Sequence, residues 1–141
     1  MALAMDAAAL NAFLAAEFPQ VVPSHRVEEA TEAGVQVRLT ADPGQLRPGG
    51  TVSGPAMFGL ADVAVYAALL SRIGPVALAV TTNASIDFMR KPAAGRDLIA
   101  EARLLKLGRS LAVADVLIRS EGEEAPVARA SMTYAIPPKT A

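Results

Sequence analysis

The sequence predicts an α+β domain, in which one antiparallel sheet packs against a long buried helix. Residues 54–73 form an apolar segment of helical length that ends at Gly74. A segment typical of a hairpin precedes it, and four apolar stretches separated by turn residues follow it. The length of 141 residues suits one domain. We therefore expect a single domain over residues 1–141, with an N-terminal helix in 1–19 and the core in 20–137.

The N-terminal segment is predicted to form an amphipathic helix over residues 6–18. Leu10, Leu14 and Phe18 recur at helical spacing, and Pro19 ends the pattern. No basic residue precedes the segment and acidic residues interrupt it, so it does not resemble a signal peptide. Together with the absence of cysteine, this favours a cytoplasmic protein.

A hairpin and an irregular loop are expected next. The stretches SHRVEEAT and VQVRLTA alternate between apolar and polar residues on either side of a turn at 32–34. The following segment, ADPGQLRPGGTVSG, contains two prolines and four glycines, which no regular element accommodates.

The central helix is predicted to begin at residues 53–55 and to be buried almost all round. Ser53 or Gly54 can cap it, and Pro55 suits its first turn. Its length would nearly span a membrane, but Asp62 at its centre would cost about 2.5–3.5 kcal/mol there. A soluble core helix, with no membrane partner, is the better interpretation.

Four strands are expected after the helix. Their stretches are VALAVTTNASIDFMR, DLIAEARLLKL, SLAVADVLIRS and APVARASMTYAI, and alternation is clearest in 98–104 and 127–134. Because short breaks separate them, these strands can form a meander.

The composition argues against several classes of function. A net charge of −1, with four Phe, two Tyr and no Trp, provides neither a basic surface nor stacking platforms, so no nucleic-acid partner is expected. Cysteine is absent and His25 is the only histidine, which excludes a His- or Cys-rich metal centre. Neither a metal nor a separate cofactor is expected.

Asp62 is the residue that most suggests chemistry. It lies within GPAMFGLADVAVYAALL, and no Lys or Arg follows or precedes it within a turn or two. Burial of an ionised carboxylate is unfavourable unless it is paired or lies beside a polar cavity. Asp62 either faces solvent or bonds a backbone amide as a structural residue, or it is a catalytic carboxylate. The helix alone does not decide between these interpretations.

Four features in order identify a family resemblance. They are the Gly-containing loop that enters the helix in GGTVSGPAMFGLADVAVY, Leu-Ala-Asp at 60–62, Asp-Phe-x-Arg-x-Pro at 87–92 and Gly-Arg-Ser at 108–110. Over about residues 20–137 the sequence resembles the hotdog-fold acyl-CoA thioesterases, specifically the PaaI-like group linked to phenylacetate metabolism. The resemblance implies an antiparallel sheet wrapped around the long helix, and hydrolysis of a CoA thioester as substrate.

The resemblance also implies roles for residues in and before the helix. Asp62 corresponds to the general base or nucleophile, and Gly54 to the first glycine of a His-Gly-Gly signature whose backbone N–H is similar to an oxyanion-hole donor. Ser53 and Pro55 replace the other two signature residues, and the position near Arg47 is often an asparagine in the family. A helper that orients the carbonyl or the water therefore falls to Ser53, Arg47 or Asn83, or is missing.

Three further sets of residues are candidates for substrate binding. Asn83 and Ser85 alternate on the strand 76–90, as a polar solvent face or as a polar wall near the acyl pocket. Tyr66, one turn after Asp62, is a core residue or a hydroxyl that bonds the carboxylate. The remaining candidates are cations and a glycine at strand ends and turns, which are solvated surface or a rim for the CoA phosphates: Arg90, Lys91, Lys106, Gly108 and Arg109.

The spacing of Gly54 and Asp62 predicts an assembly. Eight residues along one helix separate them by about 12 Å, so one thioester carbonyl cannot contact both. If both serve one reaction, they come from different chains of a homodimer whose central helices are antiparallel. The resemblance implies that the strand 76–90 pairs across the twofold axis, and that PaaI-like dimers pair into a homotetramer.

Other functions are weaker alternatives. Because the signature is altered, the chain can be a non-catalytic acyl-CoA-binding or scaffold protein. A hotdog hydratase would need a histidine after Asp42, and none follows. A Ser-His-Asp triad would need His25, in the distant hairpin, to reach Ser53. The acyl pocket is expected to be lined by small and aliphatic residues of the helix such as Met57, Ala61, Val65 and Leu69.

Overall fold

The computed structural model describes residues 3–138, which form six antiparallel strands and two α-helices. The predicted fold class is confirmed: the sheet packs against one long helix. In chain order the elements are α1 (Ala7–Glu17), β1 (His25–Thr31), β2 (Gly34–Leu39), α2 (Gly54–Ile73), β3 (Val80–Phe88), β4 (Leu98–Leu107), β5 (Leu111–Ser120) and β6 (Pro126–Ala135).

Helix α1 follows the prediction closely. Asp6 caps it by accepting a hydrogen bond from the Ala9 N–H at 2.9 Å. Leu10 and Leu14, one turn apart, are buried against the rest of the domain. Phe18 ends the helix before Pro19. This places the end of α1 beside the central helix, where it contributes to the candidate site.

The β1–β2 hairpin turns at residues 32–33, because Thr31 pairs with Gly34. Gly34 has φ of +149°, and a Cβ there would lie 2.4 Å from the carbonyl oxygen of Ala102 in β4. Only glycine permits this approach, so Gly34 fixes the contact between the hairpin and the central strands.

Helix α2 is the core of the domain. The Ser53 side chain accepts a hydrogen bond from the Ala56 N–H at 3.3 Å and caps the helix, and Gly74 ends it with φ of +90°. Although α2 is long and apolar enough to cross a membrane, 67% of its most apolar window is buried inside the domain. Leu60 and Leu69 are fully buried, as expected of a core helix.

The strand order corrects one expectation. The order is β1-β2-β4-β5-β6-β3, so β4, β5 and β6 form a meander but β3 does not join it through β4. The connection at residues 89–97 crosses the end of the sheet, and β3 pairs with β6 instead. A connection of that length, with Pro92 and Gly95, is too long for a tight hairpin. As a result β3 is an open edge strand.

Strand β3 is shorter than the predicted stretch 76–90. A turn closed by the Ala79 N–H on the Val76 carbonyl at 3.2 Å occupies its first residues. At the other end the N–H groups of Met89 and Arg90 both donate to the Val127 carbonyl, where regular pairing stops. A bulge between Thr81 and Asn83 interrupts the remaining strand.

Candidate active site

Asp62 is held by two hydroxyl groups from the sheet. Its Oδ1 accepts hydrogen bonds from Thr81 Oγ1 at 2.5 Å and from Tyr134 Oη at 2.7 Å. Tyr134 Oη also lies 3.0 Å from the Asp62 carbonyl oxygen. Both bonds to the carboxylate use Oδ1, and Oδ2 has no hydrogen-bond partner within residues 3–138. The carboxylate is therefore fixed in orientation with one oxygen available for chemistry.

The register of the sheet places these two donors together. Thr81 and Tyr134 are directly paired residues of β3 and β6, and both lie on the face that meets α2. The bulge at Thr82 is essential to this arrangement, because it puts Thr81 and Asn83 on opposite faces despite their spacing of two residues. Simple alternation would place Thr81 on the solvent face with Asn83.

Tyr134 is a neutral donor. Burial raises the pKa of its hydroxyl well above the ordinary value, and the nearby negative charge of Asp62 raises it further. Both causes disfavour a phenolate beside the carboxylate. The Tyr134 proton is therefore retained for the hydrogen bond to Asp62.

Tyr66 does not bond the carboxylate, which corrects one of the two interpretations offered for it. Its hydroxyl donates to the Ala77 carbonyl at 2.9 Å and so holds the turn that precedes β3. Its ring packs 6.2 Å from that of Tyr134 and 6.1 Å from that of Phe18, centroid to centroid. Burial, followed by the charge of Glu17, raises the Tyr66 pKa.

A cavity of about 470 Å³ opens beside Asp62. Its wall comes from the end of α1, the start of β1, the middle of α2, the turn before β3 and the end of β6. The lining residues are Glu17, Phe18, Val21, His25, Gly59, Asp62, Val63, Tyr66, Ala77, Ala79, Val80, Thr81 and Tyr134. The expected lining by Ala61, Val65 and Leu69 is wrong, because these side chains are fully buried on the faces of α2 that pack in the core.

A second cavity, of about 500 Å³, lies at the N-terminus of α2. Arg47, Gly54 and Met57 line it together with Arg90 and Lys91. The Gly54 N–H makes no hydrogen bond within the described residues, and it stands where the helix dipole favours negative charge. Gly54, Arg47, Arg90 and Lys91 are therefore brought together, at a distance from Asp62.

The Phe88 ring covers Gly54. A Cβ at residue 54 would lie 3.4 Å from the nearest atom of that ring, which leaves space for a methyl group and little more. Ser53 is the helix cap in the same region, whereas His25 lines the cavity beside Asp62. Ser53 thus lies at the N-terminus of α2 and His25 in the wall of the Asp62 cavity, so no Ser-His-Asp triad forms within one chain.

The cations of the predicted phosphate rim are divided between two ends of the sheet. Arg90 and Lys91 follow the end of β3, near Gly54. Lys106, Gly108 and Arg109 lie at the β4–β5 turn, at the opposite end. The pairing of both Leu111 and Val80 with Ala135 locates that turn at the Asp62 end. Within one chain the two groups do not form a single rim.

Asn83 and Ser85 join neither cavity. Both are on the face of the sheet turned away from α2, where they pair with Thr133 and Ser131. Asp87, two residues further, forms an ion pair of 2.9 Å with Arg129 on that face. This placement favours the solvent-face interpretation over a polar wall near the acyl pocket.

Sequence analysis missed two partners of Asp62 and the position of His25. Tyr134 lies in a stretch with clear alternation, so the sequence predicts that it points inward. Because it is 72 residues from Asp62, the sequence does not predict their contact. Thr81 was hidden by the bulge. The sequence suggests His25 only as a triad base, whereas the fold places it in the wall of the Asp62 cavity.

Comparison with known proteins gives a consistent result. The sequence profile described as "Thioesterase superfamily" matches residues 49–127, more than half of the chain. The crystal structure of a thioesterase candidate from Silicibacter sp. TM1040 is 57% identical, with 98% of this chain and 96% of that chain covered and a TM-score of 0.91. No curated protein matches the chain.

Two more distant structures share the architecture. A single-residue mutant of the phenylacetic acid degradation protein PaaI from Thermus thermophilus is 27% identical, with 88% of this chain and 97% of that chain covered and a TM-score of 0.68. A hypothetical thioesterase protein with coenzyme A from Streptococcus pneumoniae is 19% identical, with coverage of 91% and 99% and a TM-score of 0.75. At that identity the second likeness concerns the fold alone.

Proposed function

The chain belongs to the thioesterase superfamily, and we propose that it hydrolyses the thioester of small aliphatic or aryl acyl-CoA substrates with Asp62 as general base or nucleophile. The observation that carries this proposal is the carboxylate itself. Thr81 and Tyr134 bond one oxygen, Oδ1, and the carboxylate stands in the wall of a cavity of about 470 Å³. Such a cavity can receive a small acyl group.

The chemistry assigned to Asp62 needs a free oxygen. With Oδ1 occupied, Oδ2 takes a proton from a water molecule as that water attacks the carbonyl carbon of the thioester. The C–S bond then breaks, and the proton passes to the leaving sulfur to give a carboxylic acid and the CoA thiol. Direct attack by Oδ2 would instead give a mixed anhydride, which water hydrolyses to the same products.

The developing oxyanion needs a donor that this chain's Asp62 cavity does not supply. The free N–H of Gly54 at a helix N-terminus has the required character. Since about 12 Å of helix separates Gly54 from Asp62, we place the donor on a second chain. The complete site then consists of Asp62 and the partner's Gly54.

The open edge of the sheet provides a surface for this assembly. Antiparallel pairing of β3 with β3 of a second chain would continue the sheet and cover Val80 and Phe88, which are 57% and 53% exposed. It would bring the Asp62 end of β3 to the Gly54 end of its partner. A homodimer with two sites follows, and its association into a homotetramer stays a prediction.

The same pairing would unite the divided cations. Arg109 and Lys106, at the Asp62 end, would lie at the same end of the joined sheet as Arg90 and Lys91 of the partner subunit. We propose that these side chains bind the phosphates of CoA, which need several cations. The CoA in the Streptococcus pneumoniae structure supports a CoA substrate on this fold.

The test is turnover of a panel of acyl-CoAs, read by release of the thiol. The panel includes short and medium straight chains, a branched chain and an arylacetyl group. Hydrolysis of at least one member, with a rate that saturates as its concentration rises, supports the enzyme. Tight binding of acyl-CoA without release of thiol would favour a non-catalytic binding protein. The altered signature at Ser53 and Pro55 is the observation that supports this alternative.

A further inference from the structure

The cavity beside Asp62 has no free hydrogen-bond donor among the described side chains that line it. The Thr81 and Tyr134 hydroxyls both donate to Asp62, and the Tyr66 hydroxyl donates to the Ala77 carbonyl. Neither Lys nor Arg is among the described residues of its wall. A hydroxyl group has one proton to donate, so these three are fully used.

Apart from Asp62 Oδ2, two side-chain acceptors remain in the wall: Glu17, at the end of α1, and His25, at the start of β1. Glu17 is exposed and has no hydrogen bond or ion pair within residues 3–138. The negative charge of Glu17 raises the pKa of the Tyr66 hydroxyl, as a second cause after the larger effect of burial. Glu17 and Tyr66 both line the cavity.

The second acceptor is His25. Its Nδ1 lies 3.2 Å from the Val21 carbonyl oxygen and 3.0 Å from Ser24 Oγ. Because a carbonyl oxygen can only accept, the contact with Val21 favours the tautomer with the ring proton on Nδ1, and in that tautomer Nε2 is an acceptor. Burial lowers the pKa of the ring, which keeps it neutral at neutral pH.

The Nε2 atom of His25 is the one buried side-chain nitrogen or oxygen without a hydrogen-bond partner in the part of the chain that the structure describes. Buried polar atoms are nearly always paired, and His25 lines the cavity, so its unpaired acceptor can receive a donor that a bound acyl group brings. The negative charges of Glu17 and Asp62 in the same wall act in the same direction, because they attract donors and repel anions.

On the basis of the thioesterase function proposed above, we propose that this cavity selects acyl groups that carry a hydrogen-bond donor, a hydroxyl or an ammonium group, and rejects acyl groups that end in a second carboxylate. His25 Nε2 and the Glu17 carboxylate receive the donor, and Asp62 remains with the thioester. His25 and Glu17 are specificity residues in this scheme and take no part in the bond cleavage.

The test compares six-carbon substrates that differ in one group. The set comprises hexanoyl-CoA, its isomers with a hydroxyl at each carbon from C3 to C6, 6-aminohexanoyl-CoA and adipoyl-CoA. We expect at least one hydroxyl isomer or the amino compound to exceed hexanoyl-CoA about tenfold in kcat/KM, the effect of one satisfied hydrogen bond. Adipoyl-CoA should be the poorest. Comparison of the hydroxyl isomers with the amino compound shows whether the cavity prefers a hydroxyl or an ammonium donor.

Variants assign the effect to the two residues. His25→Phe replaces the imidazole with another flat ring and removes the acceptor, so the ratio of kcat/KM for the donor-bearing compound to kcat/KM for hexanoyl-CoA should fall to about one. Glu17→Gln, at an exposed position, should raise the relative rate with adipoyl-CoA and lower that with 6-aminohexanoyl-CoA. Glu124→Gln, an exposed acid in a loop away from this cavity, is the control and should change neither ratio.

Two outcomes would overturn the inference. Equal kcat/KM for hexanoyl-CoA and all its substituted forms would do so while leaving the thioesterase function intact. If no thioester is hydrolysed, the proposed function fails, and selectivity is then measured by equilibrium binding of the same CoA compounds to the wild-type chain. Equal affinities would sink the inference, and tighter binding of a donor-bearing compound that His25→Phe removes would sustain it.

Discussion

Tyr134 donates its phenolic proton to Asp62 across 72 residues of sequence, at 2.7 Å, and Thr81, its direct neighbour in the sheet, donates to the same oxygen. One end of the β3–β6 pair thus acts as a clamp on the middle of α2. The clamp turns an otherwise unpaired carboxylate in an apolar helix into an oriented group with one free oxygen. These two hydrogen bonds explain why an acidic residue is tolerated in the middle of α2.

The clamp should contribute to rate more than to substrate affinity. We expect Thr81→Val and Tyr134→Phe each to lower kcat by about tenfold with little change in KM, because each removes one charge-assisted hydrogen bond from the group that reacts. Thr81→Ser restores the hydroxyl and should restore most of the rate. Steady-state kinetics check this. A change confined to KM, or no rescue by serine, would contradict a positioning role.

Replacement of Asp62 separates catalysis from folding. Asp62→Asn retains an oxygen that accepts from Thr81 and Tyr134, so the fold should persist, while kcat should fall by about 10²-fold or more through loss of the base. Circular dichroism and thermal unfolding provide the control for folding. Equal turnover by the variant on the best substrate would eliminate the catalytic assignment, and a variant that does not fold would favour a structural role.

The site shared between chains predicts complementation. Gly54→Val should push into the Phe88 ring, which lies 3.4 Å from a Cβ at this position, and should inactivate the chain. Refolding of Asp62→Asn chains together with Gly54→Val chains should recover about one quarter of wild-type activity, because half of the dimers are mixed and each has one intact site. Gly54→Ala, whose methyl group fits, is the graded control. Sites within single chains predict no recovery, and an active monomer in solution would also refute the scheme.

The cations at the two ends of the sheet should affect binding rather than chemistry. Arg90→Ala and Arg109→Ala are expected to raise KM for acyl-CoA with kcat little changed, since they contact the unreactive nucleotide end in both ground and transition states. A pantetheine thioester lacks the nucleotide, so the effect should shrink on it. Equal losses on the two substrates would mean that these arginines do not meet the phosphates.

His25 gives stability a defined dependence on pH. Burial lowers its pKa from the ordinary 6.5, so as the pH falls the unfolded chain takes up the proton before the folded chain does. The contribution of His25 to the free energy of unfolding is therefore complete above about pH 6.5 and declines below it. Urea unfolding between about pH 7.5 and 5.5 should show this decline, and His25→Phe should flatten it. An unchanged slope in the variant would assign the decline to carboxylates.

Much of this fold could be predicted because it depends on local pattern. Apolar periodicity between a Ser-Gly-Pro start and a Gly-Pro stop located α2 to within a residue, and alternation located β4 to β6. The carboxylate at the centre of α2 also indicates a special role without any tertiary information, because an unpaired charge in an apolar helix is unfavourable. These features are written in neighbouring residues and need no knowledge of distant ones.

The surroundings of Asp62 were decided only by the tertiary structure. The pairing of β3 with β6 rather than β4 brings Thr81 beside Tyr134, and a single bulge at Thr82 turns Thr81 inward. The packing of α1 and the hairpin carries His25 into the same cavity. A strand's local pattern is compatible with several neighbours and with either register, and the choice depends on the total burial that each arrangement achieves across the whole sheet. For that reason the sequence alone determined the helix and its carboxylate, whereas the fold determined which groups surround that carboxylate.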